Sequence, residues 1–117
     1  MSKKYVPDKW VVVKIEGKNV PLTYKVFGCW FGGYLGSNSW KLNSGIKAVT
    51  EGEDNWLFEG YSGSVYKCYK KAYGMHMYGS GVLNDIICKS EEHEVKVEVM
   101  PEHTNWLDDC PLNKKND

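Results

Sequence analysis

The chain has no surplus charge of either sign: 15 Lys and Arg residues stand against 15 Asp and Glu residues, for a formal net charge of 0 at pH 7. Sequence-independent nucleic-acid binding needs a concentrated positive field, so a generic DNA or RNA partner is disfavoured. A nucleic-acid mimic is disfavoured too, because it needs a strong acidic excess. No apolar run reaches the length of a bilayer span, which argues against a membrane partner. Met1 to Tyr5 carries no apolar leader segment, so a reducing cytosolic setting is expected.

Ligand sets for common cofactors are missing as well. The cysteines, Cys29, Cys68, Cys88 and Cys110, form no C-x-x-C pair and are expected to be free thiols. His76, His93 and His103 lie in different segments without H-x-x-x-H spacing, so no metal site and no cofactor are expected. Neither G-x-x-x-x-G-K-[ST] nor G-x-G-x-x-G occurs, which leaves nucleotide hydrolysis by those routes unsupported. A nucleophile, base and acid can be assembled from Cys68, His76 and Asp85, but nothing in their spacing demands it. The chain is therefore read as non-enzymatic.

What the chain does contain is aromatics and glycine: five Trp, eight Tyr, three Phe and 12 Gly in 117 residues. Such a composition suits a small β protein with a recognition surface. Within it, the pattern Gly-Tyr-x-Gly-Ser occurs twice, as Gly33-Tyr34-Leu35-Gly36-Ser37 and Gly60-Tyr61-Ser62-Gly63-Ser64. Phe31 precedes one copy and Phe58 the other by two residues, and an aromatic-Lys pair follows each: Trp40-Lys41 and Tyr66-Lys67.

Periodicity predicts a mainly β, single-domain fold over residues 1–117, with frayed termini at about 1–6 and 111–117. Trp10 to Ile15 reads as a strand with Val11, Val13 and Ile15 on one face and Trp10, Val12 and Lys14 on the other. Both faces carry apolar residues, so this strand is expected at the centre of a sheet or covered on both sides. Leu22 to Phe31, Trp40 to Leu42, Ile46 to Thr50, Trp56 to Glu59, Val65 to Ala72 and Glu94 to Met100 are further strands. Glu51 to Asn55 reads as a hairpin turn and Asn43-Ser44-Gly45 as a break. Ser80 is placed as the cap of a short helix near 81–88, with a strand through Ile86-Ile87-Cys88 as the alternative. The expected architecture is an antiparallel, strongly twisted sheet or small barrel-like meander.

The Gly-Ser turns are the best candidates for a site. Glycine-rich backbone can aim successive N–H groups into one concavity that holds an anion. Ser37 and Ser64 add hydroxyls, Lys41 and Lys67 add charge, and Tyr34, Trp40, Tyr61 and Tyr66 can stack on a base. With Gly36 and Gly63 these parts could form one nucleotide pocket. The plainer reading is that glycine supplies positive φ in tight turns while aromatics cover the sheet. A second candidate surface joins Met75, Met77 and Tyr78 on a Gly-rich segment to Lys70 and Lys71, suited to a protein partner. There, the plainer reading is that Met and Tyr fill the end of a barrel. The Val95-Val97-Val99 strand, if it lies at an edge, could pair with itself in a homodimer.

Three stretches, Tyr5 to Ile15 (YVPDKWVVVKI), Gly28 to Ile46 (GCWFGGYLGSNSWKLNSGI) and Gly60 to Met75 (GYSGSVYKCYKKAYGM), carry a resemblance. In their order and spacing they resemble a family of small, mostly uncharacterised accessory proteins of tailed bacteriophages. The resemblance covers roughly residues 5–80 and leaves 81–117 outside it. It brings no settled activity and no catalytic residues. It implies a viral protein acting in the host bacterial cytoplasm, where such products counter host defences or redirect host enzymes. Three expectations follow: sequestration of a nucleotide second messenger by the Gly-Ser turns, direct inhibition of a host defence protein in the manner of an anti-CRISPR, or a structural or regulatory phage module.

Overall fold

The computed structural model describes residues 3–31, 38–102 and Trp106. Its elements run β1 (Lys4–Tyr5), β2 (Lys9–Gly17), β3 (Val20–Trp30), β4 (Ser39–Leu42), β5 (Ile46–Glu51), β6 (Asn55–Gly60), β7 (Val65–Tyr69), a 3-10 turn (Lys70–Ala72), α1 (Met77–Glu91) and β8 (Val95–Val99). They form two four-stranded sheets, ordered β1-β7-β6-β5 and β4-β3-β2-β8. All pairings are antiparallel except β1 with β7, which is parallel.

The β4-β3-β2-β8 sheet is the middle of three layers. Trp10, Val12, Tyr24 and Val26 on one face pack against Ile46, Trp56, Phe58, Tyr66 and Cys68 of the other sheet. Val11, Val13, Phe27 and Cys29 on the opposite face pack with Val97 against Leu83 of α1. Period-2 alternation with apolar residues on both sides produces this doubly covered strand. Trp10 anchors the inter-sheet core: its ring sits 4.7 Å from Tyr73 and 5.5 Å from Phe58, and its indole N–H donates to the Tyr69 carbonyl at 2.7 Å. Such aromatic pairs add to the burial of their area. Trp106, 1 % exposed, fills the same cluster.

The mainly β reading of the sequence holds, and so do the faces assigned to β2. Several details differ. The strands stack as two sheets and do not close into a barrel. Lys4 and Tyr5, expected to fray, pair with Val65 and Tyr66. The strand expected to run to Ala72 ends at Tyr69 in a 3-10 turn. The helix is longer than 81–88 and starts at Met77, with His76 rather than Ser80 at the cap position and no side-chain cap bond. Its early start is set by packing: a Cβ on Gly79 would lie 2.9 Å from the Cys29 sulfur and 2.5 Å from the Met75 sulfur. A helix can approach β3 this closely only with glycine at the contact.

Candidate functional site

Where the chain leaves the middle sheet for the outer one, three residues, Asn43 to Gly45, make the crossing between β4 and β5. Asn43 is 4 % exposed and organises the link. Its backbone N–H donates to the Val26 carbonyl at 3.0 Å, and its side-chain oxygen accepts from the Val26 N–H at 2.9 Å and the Gly45 N–H at 3.2 Å. Asparagine bonding to the backbone two residues on is an Asx turn, which redirects the chain without orphaning buried amides. Gly45 (φ +123°) completes the turn, with the Tyr61 ring lying against it.

The second Gly-Tyr-x-Gly-Ser segment docks onto this link. Ser62 N–H donates to Ser44 Oγ at 2.9 Å, and Tyr61 N–H donates to the Gly45 carbonyl at 3.1 Å. The segment closes on itself through Gly60 N–H to the Ser64 carbonyl and Gly63 N–H to the Gly60 carbonyl. Gly63 has φ +95°, and a Cβ at Gly60 would come within 2.9 Å of Ser44 Oγ. Both glycines therefore have a local steric reason.

An open groove of about 360 Å³ results, lined by Tyr5, Lys25, Lys41, Leu42, Asn43, Ser44, Ser62, Ser64 and Tyr66. Lys41 and the hydroxyl-bearing Ser44, Ser62, Ser64 and Tyr66 line it; Lys25 borders it from β3, where register with Val13 puts its side chain on the Phe27 face; none of these lining residues is acidic. Lys41 Nζ lies 5.2 Å from the Tyr5 ring centroid, a cation–π contact at the groove wall. Burial first, then the neighbouring Tyr5 and Cys68, push the Tyr66 phenol up to about 12. At neutral pH Tyr66 is therefore a hydrogen-bond donor. The side-chain amide nitrogen of Asn43 is buried and has no hydrogen-bond partner among the described residues. A buried unpaired donor costs about 1–3 kcal/mol, so a partner supplied by a ligand would be favourable.

Of the residues picked out by sequence, Lys41, Ser64 and Tyr66 converge here. Tyr61 is exposed beside the groove's link, and Gly63 shapes the turn. Two others are turned away. Trp40, next to Lys41 in β4, lies on the opposite face and stacks on Phe27 at 5.6 Å. Lys67 points off the outer sheet, 5.3 Å from the Tyr69 ring, while Tyr66 and Cys68 point into the core. Adjacent residues of one strand cannot serve one pocket, so each aromatic-Lys pair is split by the pleat. Tyr34, Gly36 and Ser37 lie outside the described residues. Tyr5, Lys25, Asn43 and Ser44 were not picked out by sequence. The one available signal was the Asn-Ser-Gly break, which marks the link but not what docks on it.

The second candidate surface disperses. Met75 and Tyr78 pack against the α1 core, and Lys70 pairs with Glu51 at 2.7 Å. Lys71 is exposed, and Met77 is 85 % exposed. The Cys68, His76 and Asp85 trio does not assemble: Cys68 is in the inter-sheet core, whereas Asp85 pairs with Lys89 on α1, beyond the middle sheet. Two larger hollows exist. One, about 480 Å³, mixes Glu16, Glu91 and Glu94 with Lys96; the other, about 510 Å³, mixes Asp8 and Asp54 with Lys9 and Lys71. Neither offers the one-sided electrostatics of the Lys41 groove. Among the described residues no three His, Cys, Asp or Glu side chains cluster as metal ligands, and no helix is long and apolar enough to cross a membrane.

Comparison of the chain with known protein families, with curated proteins and with solved structures gives no match.

Proposed function

We propose that this protein is a non-enzymatic binder of a phosphorylated small molecule, best matched by a nucleotide. We propose further that it is a phage accessory protein that sequesters such a signal from a host defence system in the bacterial cytoplasm. The observation that carries the binding reading is the groove itself: Lys41, Ser44, Ser62, Ser64 and the protonated Tyr66 line one opening, with Lys25 at its border and no carboxylate among these residues. Ammonium groups and hydroxyls are the donors a phosphate's oxygens accept from. The chain contains no arginine, so charge recognition would rest on lysine point charges rather than bidentate forks. The phage setting is supported by the resemblance of residues 5–80. Sequestration also fits the placement of Cys68 in the inter-sheet core, apart from Asp85 on α1, since binding needs no nucleophile.

A thermal-shift panel of mono-, cyclic-di- and cyclic-tri-nucleotides tests the reading. A compound that binds the folded state raises Tm in a concentration-dependent way. One class is expected to do so and to be recovered chemically intact. Lys41→Ala is expected to weaken binding about ten- to a hundredfold, the worth of a charge-assisted hydrogen bond. Lys67→Ala, on the outer face, is expected to bind like wild type. A panel in which nothing shifts Tm overturns the nucleotide reading. Direct inhibition of a host protein is the second reading, favoured by the 85 % exposure of Met77. It predicts that Met77→Ser abolishes the anti-defence effect while Lys41→Ala leaves it intact.

A further inference from the structure

Among the described residues, strand β8 forms one edge of the middle sheet, with β2 on its inner side. Its register is Val13 with Val99, Lys14 with Glu98, Ile15 with Val97 and Glu16 with Lys96. Just beyond the strand, Met100 N–H donates to the Val12 carbonyl at 2.9 Å. In an antiparallel ladder every second residue exchanges such bonds. Glu98 and Lys96 therefore bond inward to β2, and the N–H and C=O groups of Val95, Val97 and Val99 point outward.

The sequence of β8, Val-Lys-Val-Glu-Val, is complementary to itself when reversed. Place a second copy antiparallel, with the two-fold axis at Val97. Val97 meets the partner's Val97, and Val95 meets the partner's Val99. These are the residues whose backbone groups point outward, so the ladder bonds form in phase. Lys96 falls opposite the partner's Glu98, and Glu98 opposite the partner's Lys96, in the closely spaced non-hydrogen-bonded positions where side chains interact most. The match extends inward. Because Lys14 lies beside Glu98 and Glu16 beside Lys96, the rows read Lys14, Glu98, the partner's Lys96, the partner's Glu16, and the reverse. Sign alternates along each row, through both β2–β8 contacts and across the axis. Centring on Val95 or Val99 instead leaves little of the strand paired.

We infer that β8 is a homodimerisation edge, which joins the middle sheets of two copies into one continuous sheet through antiparallel β8–β8 pairing about Val97. Val99, 40 % exposed in the single chain, becomes covered. Charged residues on an edge strand usually block such pairing. Here the cation and the anion are two residues apart, so the same charges select a second copy in one register and disfavour others.

Charge exchange between two variants tests this, with circular dichroism to confirm that each variant folds, because each also sets like charges beside β2. Lys96→Glu alone sets two glutamates against each other across the axis, and Glu98→Lys alone sets two lysines. Each variant is expected to raise the dimer dissociation constant at least about tenfold, since like charges directly opposite on paired strands repel. An equimolar mixture restores opposite signs at both positions and is expected to recover the dimer as a heterodimer. Light scattering on a sizing column reads the mass. Amide exchange supplies the second reading: Val95, Val97 and Val99 N–H groups of the wild type gain protection as protein concentration rises. A wild type that stays monomeric at about 100 µM overturns the inference. So does a dimer that survives both single substitutions, or a mixture of the two variants that fails to reassociate.

Discussion

Replacing Asn43 with alanine strips two buried backbone N–H groups, those of Val26 and Gly45, of their acceptor. Each orphaned donor costs about 1–3 kcal/mol, so Asn43→Ala is expected to lower stability by about 2–4 kcal/mol, read as a fall in Tm on the order of 10 °C. Titration at single residues gives a second expectation. Burial raises Cys29 to about 11, and raises Tyr66 and Tyr73 to about 12; Cys68 is also raised well above its ordinary value by burial. Each group keeps its proton longer when folded than when unfolded. Their contributions are therefore complete below about pH 9 and are lost as pH rises towards 12. Denaturant midpoints should hold level to pH 9 and then decline. The same burial makes thiol labelling selective: Cys88 is exposed and should react rapidly in the native protein, whereas Cys29 and Cys68 should react only after unfolding.

At the scale of elements, α1 carries two glycines with opposite consequences. A Cβ at Gly81 meets nothing within 4 Å, while one at Gly79 would collide with the Cys29 sulfur at 2.9 Å. Alanine is a better helix former than glycine by about 1 kcal/mol, so Gly81→Ala should raise stability by up to that amount. Gly79→Ala should lower it despite the same intrinsic gain, because overpacking a close contact costs about 1–3 kcal/mol. Urea titrations of the two variants check the pair of signs. The glycines also explain why the helix was read too short. Gly79 and Gly81 look like loop residues, Ile86-Ile87 is β-prone, and no capping side chain marks the start at His76. Tertiary contact with Cys29 decides the matter, and nothing local announces it. The strands were legible because alternation is local: Val11 and Val13 against Trp10 and Val12 state both faces of β2 outright.

At the scale of the whole molecule, legibility fails where distant segments meet. The parallel partnership of β1 with β7, which brings Tyr5 to the groove, leaves no trace in either segment. Lys25 looks like one polar residue in an alternating strand, and its place at the groove's border depends on where β4 ends. The paired aromatic-Lys motif misled for a reason that strand geometry supplies: the pleat turns Trp40 from Lys41 and Lys67 from Tyr66. What survives of the motif is the second turn, held on Ser44 and Gly45 by backbone bonds. Groove and dimer edge are separate surfaces, so loss of one should leave the other intact; Lys96→Glu should not weaken ligand binding by more than about twofold.

The most direct test of the account is an amide NMR titration of the full chain with ADP, the simplest probe that joins a diphosphate to a base. The account predicts saturable shifts clustered at Lys25, Lys41, Asn43, Ser44, Ser62 and Ser64, lost in Lys41→Ala and retained in Lys67→Ala. Shifts that fail to saturate, or that centre on α1 around Met77, would contradict it.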